Sequence, residues 1–431
     1  RQRQMADVCQ KCLSLQNGIM LQSISFWIST EKICLFANSK QDNNDMRKHY
    51  FLLCMTFFLS SLQLSAQSFR KEIDAKPELS ASNCLAYPTP SGRLTAPPSG
   101  YVPVHISHYG RHGSRYLLSD NDYLRPLRTL ERADSVGVLT EKGRATMVKL
   151  RRMYEESYKR WGELTPLGAE QYRQIARRMY ERFPSVFADS VWVDAKSTVV
   201  IRCILSMENE LLELLRHNPR LKICHDASDH DMYYMNLHDE NLARQRENEE
   251  VKDWEKRHLN YQPLMSRLFS NADYVAKRIN AEQLTNDLFG LAGIVQNSEI
   301  RHSLSLYDLF TPDERYLLWQ RSNVWWYLHF AGAPQNGGNQ LFSQRNLLRN
   351  IINEADSCLA LSKPGATLRF GHETMVMPLA CLLNLNKSFV KTAQVDSLEA
   401  YNWIASRIFP MAANIQLVFY RNPKNRKLTC W

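Results

Sequence analysis

The chain has no apolar run long enough to cross a membrane as a helix, which takes about 20 residues. Its strongest candidate, Phe51 to Leu64 (FLLCMTFFLSSLQL), stops at 14 residues. No internal repeat and no heptad pattern is present, which argues against repeat architectures and coiled coils. Beyond Ala66 there is no CxxC pair, so a zinc ribbon or dithiol redox centre has no support there; Cys9-Gln-Lys-Cys12 lies upstream. A basic stripe is also missing. Lys and Arg outnumber Asp and Glu by 54 to 44 for a net charge of +10, yet they are dispersed, unlike a nucleic-acid-binding face. With 44% hydrophobic and 23% charged residues in 431, the chain is too apolar to be largely disordered. The positive balance favours anionic partners, and a polyphosphorylated small molecule is one of these.

What is present begins with Met46-Arg47-Lys48-His49, a short basic start ahead of the apolar run, with Leu64-Ser65-Ala66 after it. That order reads as a secretory signal peptide over 46–66. The expectation is a periplasmic or secreted protein beginning near Gln67, with no stable membrane insertion after cleavage. Residues 1–45 would be a non-native upstream extension. Ten cysteines fall to six beyond Ala66. Export permits disulfides, and six cysteines allow 15 pairings among which sequence does not choose. The tail after Arg421, NPKNRKLTCW, has no obvious closing element, and an incomplete or frame-shifted end would leave a sheet edge unpaired.

Between these ends, β-branched runs alternate with helical periods. Tyr101 to Ser107 predicts a strand ending in a turn at Tyr109-Gly110, and Val191–Val193 and Ser197–Ile201 predict short strands. Thr165-Pro166 opens a helix, with Thr as cap and Pro in the first position. Residues 203–216 and 343–361 are helical in period, Thr367–Phe370 and Asn414–Arg421 are strands, and 225–330 is helical and rich in His, Tyr and Trp. Strands separated by helices at both ends predict an α/β sheet domain. Its expected extent is 67–205 with 340–431, and a mostly helical domain, 206–339, is inserted between them.

The densest chemical signal is Tyr109-Gly-Arg-His-Gly-Ser-Arg115, directly after a strand. Arginine presents a planar fork of donors suited to phosphate oxygens, and glycine lets backbone approach a ligand. A neutral imidazole held there can attack phosphorus, and nearby guanidinium charges oppose its protonation. Arg202 follows a predicted strand, where an α/β sheet presents ligand groups. His372-Glu373 follows another strand and Gly371 at a helix start, a place that favours anions. His105 and His108 are close to His112, but their odd spacing on a strand puts them on opposite faces, so no shared metal site is expected. HDASDHD (225–231) reads as a polar loop, and Val324-Trp-Trp-Tyr327 as core.

These segments together resemble the histidine acid phosphatase family, in the branch of phytases and multiple inositol polyphosphate phosphatases. RHGSR matches its RHGxR signature, Leu164-Thr-Pro-Leu-Gly168 with Gln171 its LTxxGxxQ segment, Ser197 to Met207 the segment of its third phosphate arginine, and Phe370-Gly-His-Glu-Thr374 its late histidine-plus-acid motif. The resemblance runs from about Val102 to Tyr420. It implies a phosphoglycerate-mutase-like α/β sheet domain with an inserted helical domain, and hydrolysis of phosphate monoesters through a phosphohistidine on His112. It further implies that Arg111, Arg115, Arg202 and His372 hold the phosphoryl oxygens, that Glu373 donates the proton, and that no metal or other cofactor takes part. Two positions depart from the pattern. The acid motif is His-Glu where the family has His-Asp or His-Ala-Glu, and Leu117 stands where many members carry proline.

The substrates implied are small phosphate esters, inositol polyphosphates such as phytate foremost, at acid pH because Glu373 must be protonated to donate. A broad-specificity acid phosphatase is the alternative, as is a phosphate-ligand-binding protein with weak turnover. A mutase of the same superfamily fits poorly with a signal peptide.

Overall fold

A computed structural model describes residues 69–430 except 91, 93, 94, 98, 237, 247 and 248. The expected upstream extension and signal peptide lie outside the described residues.

Six strands form one mixed sheet: β1 (Val102–Arg111), β2 (Trp192–Ser197), β3 (Lys222–Ala227), β4 (Gly365–Gly371), β5 (Asn414–Arg421) and β6 (Leu428–Cys430), in the order β3-β2-β4-β1-β5-β6. β1, β2, β3 and β4 run parallel, and β5 and β6 are antiparallel to their neighbours. β1 is central and buried from His105 onward, and β4 is buried throughout, as expected for strands covered on both faces. The tail forms the short edge strand β6, paired with β5 over Phe419–Arg421.

The longer helices are α1 (Asn121–Ser135), α2 (Glu141–Ser157), α3 (Pro166–Arg182), α4 (Ile201–His217), α5 (Ala281–Ile294), α6 (Pro312–Phe330), α7 (Arg345–Leu359) and α8 (Glu373–Leu382). α3 and α4 cover one sheet face, where Ile175, Met179, Met207 and Leu211 pack on Ile106, Leu368, Phe370 and Val418. On the other face α7 and α8 bring Leu347, Ile351, Met375 and Val376 against Tyr109, in a core that also holds Trp326 and Tyr327 of α6. A separate core joins Leu127, Leu130, Leu150 and Met153 of α1 and α2 to Leu268, Leu288 and Leu291. Each such side chain, fully buried, stabilises the fold by about 1.5–3 kcal/mol.

Three sequence expectations need correction. The boundary at 206 cuts α4, and β3 beyond it belongs to the sheet. Conversely α1 and α2, placed with the sheet domain, share their core with the helical region. Apolar periodicity shows that a helix has a buried face but not which layer buries it. Second, Ser197–Ile201 is not a strand: β2 ends at Ser197 and α4 begins at Ile201. Val199 and Ile201 are exposed, so their β-branched side chains have no sheet face to cover. Third, β1 continues through Tyr109-Gly110 instead of turning there, and Gly110 pairs with Phe370 and Asn414.

Candidate active site

β1, β2 and β4 end side by side, and the candidate residues leave from those ends, as ligand groups do in α/β sheets. The His112 backbone is fixed on two sides. Its N–H donates to the Gly371 carbonyl at 2.8 Å, and its carbonyl accepts from Ala412 N–H at 3.0 Å. The loop then turns under the start of α3. Thr165 caps that helix, accepting from Gly168 N–H at 3.2 Å, and Pro166 takes the first position. A Cβ on Gly113 would lie 2.5 Å from the Gly168 carbonyl oxygen, and one on Gly168 would lie 2.3 Å from that of Ser114. The glycines of both motifs are thus required by one backbone-to-backbone approach. Gln171 completes the seam, accepting from Ser114 N–H at 2.9 Å and donating to its hydroxyl at 2.8 Å.

The His112 ring is fully buried, and its Nδ1 lies 2.9 Å from the Gly113 carbonyl. A carbonyl only accepts, so Nδ1 carries the proton and Nε2 presents its lone pair. That Nε2 lies 3.4 Å from Glu373 Oε2. The same carboxylate oxygen is 3.1 Å from Arg111 Nε. Arg111 is fully buried and anchored by Nη1, which donates to the carbonyls of Asn83 and Phe409 at 2.6 and 2.8 Å. Arg115 Nη1 donates to the Tyr116 carbonyl at 2.9 Å, and Arg202 Nη1 reaches that of Gly162 at 3.4 Å. Arg111 Nη2 and the Nε groups of Arg115 and Arg202 are buried donors without a hydrogen-bond partner among the described residues. His372 sits at the cap of α8, its Nε2 3.2 Å from Thr198 Oγ1 and its ring centroid 5.8 Å from that of His112.

Burial holds both imidazoles neutral. It takes the His112 pKa down to about 3 and that of His372 to about 4, with Arg111 and Arg202 pushing the same way. Burial alone would raise Glu373, but the Arg111 and Arg115 guanidinium groups outweigh it and hold the carboxyl well below its ordinary range. The structure therefore brings His112, Arg111, Arg115, Arg202, His372 and Glu373 into one electrostatically coupled cluster. His112, His372 and Glu373 offer ligand atoms within 4.8 Å of one another, a spacing a metal ion could use. The guanidinium charges around them favour an anion instead.

Several contributors escaped sequence reading. Ser206 of α4 accepts from Gly113 N–H at 3.1 Å. Asn297 accepts from the Ser114 hydroxyl at 2.6 Å across 183 residues. Tyr172 donates to the Arg111 carbonyl. Nothing in local pattern marks these, because each acts through a partner far away in the chain. Leu117 is explained: its N–H donates to Tyr123 Oη at 2.9 Å, a bond that proline cannot make.

Neither a family model nor a curated protein matches the sequence. Solved structures do. A Bifidobacterium longum multiple inositol polyphosphate phosphatase in complex with inositol hexasulfate aligns over 80% of this chain and 89% of its own, at 20% identity and TM-score 0.62. Its phosphate complex gives 18% identity and TM-score 0.63 over 80% and 87%. The phytase from D. castellii gives 15% and 0.59 over 80% and 76%. This is the fold of the inositol polyphosphate phosphatases. The shared α/β fold bears out the architecture expected from sequence.

Proposed function

We propose that this chain hydrolyses phosphate monoesters through a phosphohistidine on His112, and that inositol polyphosphates are its substrate class. One observation carries the reading: a buried imidazole lone pair, His112 Nε2, stands beside buried guanidinium donors that no acceptor among the described residues satisfies. An unmet buried donor costs about 1–3 kcal/mol, and a phosphoryl group supplies the missing acceptors. The net charge of +10 and the fold shared with a phosphatase seen with inositol hexasulfate support a polyanionic substrate.

In this reading Arg111, Arg115, Arg202 and His372 hold the phosphoryl oxygens. His112 Nε2 forms a bond to phosphorus as the ester P–O bond breaks, and Glu373 gives its proton to the leaving alkoxide. Water then attacks the phosphohistidine, Glu373 takes the proton from that water, and inorganic phosphate leaves. Arginine charge stabilises the transferring group, so no metal is required. Glu373 is ionised in the unliganded site. Its proton therefore arrives with the substrate, whose second phosphate pKa is about 6. Acid conditions favour that monoanion, which keeps the expected optimum acidic while changing its cause.

The test is phosphate release from phytate and from p-nitrophenyl phosphate at acid pH with a chelator, beside His112→Ala. Release from phytate, lost in the variant, is expected. Release from the small ester alone would move the substrate to a broad acid phosphatase. Binding of inorganic phosphate with no release from either would favour a binding protein. The apolar run 51–64 after a basic start supports export to the periplasm or medium; cell fractionation that finds the native protein in the cytoplasm would refute this. Among the described residues no helix is long and apolar enough to cross a membrane.

A further inference from the structure

His108 is the one histidine of the 105–112 cluster that neither the chemistry nor the sheet core accounts for. It lies on β1, four residues before His112, on the face that packs against α4. Both it and Glu210 of α4 are completely buried, and His108 Nδ1 lies 2.9 Å from Glu210 Oε1. Among the described residues His108 Nε2 and Glu210 Oε2 have no hydrogen-bond partner. As a source of stability this is a poor arrangement. Two ionisable groups are taken out of water for one bond, and apolar side chains of similar size often do as well or better. Its value must lie elsewhere, in a fixed distance between two elements.

The two elements are the ones that carry the site. β1 ends in Arg111 and leads into His112, and α4 begins at Ile201 and carries Arg202. Arg202, Ser206 and Glu210 follow at steps of four along α4 and so share one face. That face meets β1 at successive levels. Glu210 bonds His108, Ser206 Oγ accepts from Gly113 N–H at 3.1 Å while donating to the Arg202 carbonyl at 2.8 Å, and Arg202 stands at the site. Next to this contact Gly110 leaves room for two groups. A Cβ there would lie 2.5 Å from Tyr172 Oη and 3.0 Å from His108 Nε2. Tyr172 in turn donates to the Arg111 carbonyl. Apolar packing between a helix and a sheet permits small slides along the helix axis, whereas a buried hydrogen bond permits one register.

We infer that His108 and Glu210 are positioning residues: they clasp α4 to β1 and thereby set the height of the Arg202 guanidinium relative to His112. The inference rests on Arg202 being a phosphate ligand, as proposed above.

The experiment compares wild type, Glu210→Gln, His108→Leu/Glu210→Met, Arg202→Ala, and the double apolar change combined with Arg202→Ala. Melting temperature, KM, kcat and the inhibition constant of inorganic phosphate are measured for each. The apolar pair should fold with a melting temperature near or above that of wild type. Its KM and phosphate inhibition constant should rise roughly ten- to a hundredfold, the scale of a misplacement of about 1 Å. Glu210→Gln, which keeps an acceptor, should stay close to wild type. In the Arg202→Ala background the apolar pair should add nothing further to the inhibition constant, since the residue it positions is gone. A merely structural clasp would lower stability in every background and would leave no such coupling. Wild-type KM and phosphate inhibition in a folded apolar pair, or an equal effect with and without Arg202, would overturn the clasp while leaving the phosphatase reading intact. A wild-type protein that neither turns over nor binds phosphate would overturn both.

Discussion

Glu373→Gln should bind phosphate more tightly than wild type while turning over far more slowly. In the unliganded site Glu373 Oε2 lies 3.1 Å from Arg111 Nε and 3.4 Å from His112 Nε2. A phosphoryl group attacked by His112 needs these same two neighbours, so carboxylate and phosphate compete for one place. The carboxylate is ionised there, because the Arg111 and Arg115 guanidinium groups hold its pKa well below the usual range. Phosphate must therefore displace a charge-assisted contact, worth about 1.5–3 kcal/mol, and then tolerate a like charge beside it. Gln keeps the shape, drops the charge and can donate to a phosphate oxygen. Phosphate affinity should thus rise roughly ten- to a hundredfold at neutral pH, at about 1.4 kcal/mol per tenfold. Loss of the proton donor should lower kcat by roughly 10²–10⁴. The assay is equilibrium binding of inorganic phosphate from pH 4 to 8, with single-turnover phosphate release alongside. Wild-type affinity should climb as pH falls and Glu373 gains a proton, and the Gln variant should lose that dependence on Glu373. Weaker or equal binding by Glu373→Gln at pH 7 would refute the competition and leave Glu373 as a proton donor only.

Two further outcomes are expected. Burial pushes the Glu399 carboxyl up to about 7, against the help of the Tyr316 hydroxyl and the Arg407 and Arg70 charges. The folded state thus holds a proton that the unfolded chain releases near 4.5, so stability from this group is full below that pH and is lost as pH rises through 7, by about 3 kcal/mol in all. Glu399→Gln should flatten the melting temperature between pH 5 and pH 8, and an unchanged slope would count against it. Gly168→Ala, whose Cβ would meet the Ser114 carbonyl at 2.3 Å, should cost about 3 kcal/mol or more and displace the RHGSR loop. A soluble variant with wild-type melting temperature and activity would show that the seam gives way easily.

Much of the site was legible because its residues sit where sequence marks an element's end. His112 follows a β-branched run, His372-Glu373 follows a strand and a glycine, and Thr165-Pro166 announces a helix. These marks hold because strand pattern, glycine and capping are local properties. Arg202 shows the limit. Sequence reading sets it at the end of a strand, whereas it lies in the first turn of α4, since Thr198-Val-Val-Ile201 has strand composition but no sheet face to cover. Asn297, Ser206 and Glu210 were beyond reach for another reason. Each is an ordinary polar residue whose role comes from a partner 93 to 183 residues away, and no spacing rule encodes such a meeting. The expected domain boundary failed the same way: α1 and α2 have the period of core-facing helices, but their partners, such as Leu268 and Leu288, are more than a hundred residues on.

That last failure bears on how the site works. The loop after β1 is held at its start by the sheet, through Gly371 and Ala412, and further along by the helical layer, through Ser114 to Asn297. Asn297 also donates to the Cys84 carbonyl at 2.7 Å, next to Asn83, whose carbonyl accepts from Arg111. One asparagine therefore links the segment before β1 to the loop after it. Arg111 and His112 take their height from the strand, while Ser114 is held by Gln171 of α3 and by Asn297. The proposed phosphate site therefore depends on both contacts, because Ser114 lies between Arg111 and Arg115 in the loop. Glycines at 113 and 168 let the loop meet the start of α3 at backbone distance, and the buried Gln171 and Asn297 hold Ser114 between α3 and the helical layer. The guanidinium charges of Arg111, Arg115 and Arg202 repel one another and favour an anion between them. Glu373 supplies that anion in the unliganded protein, which is a physical reason for an acid whose stem is long enough to reach both Arg111 and His112.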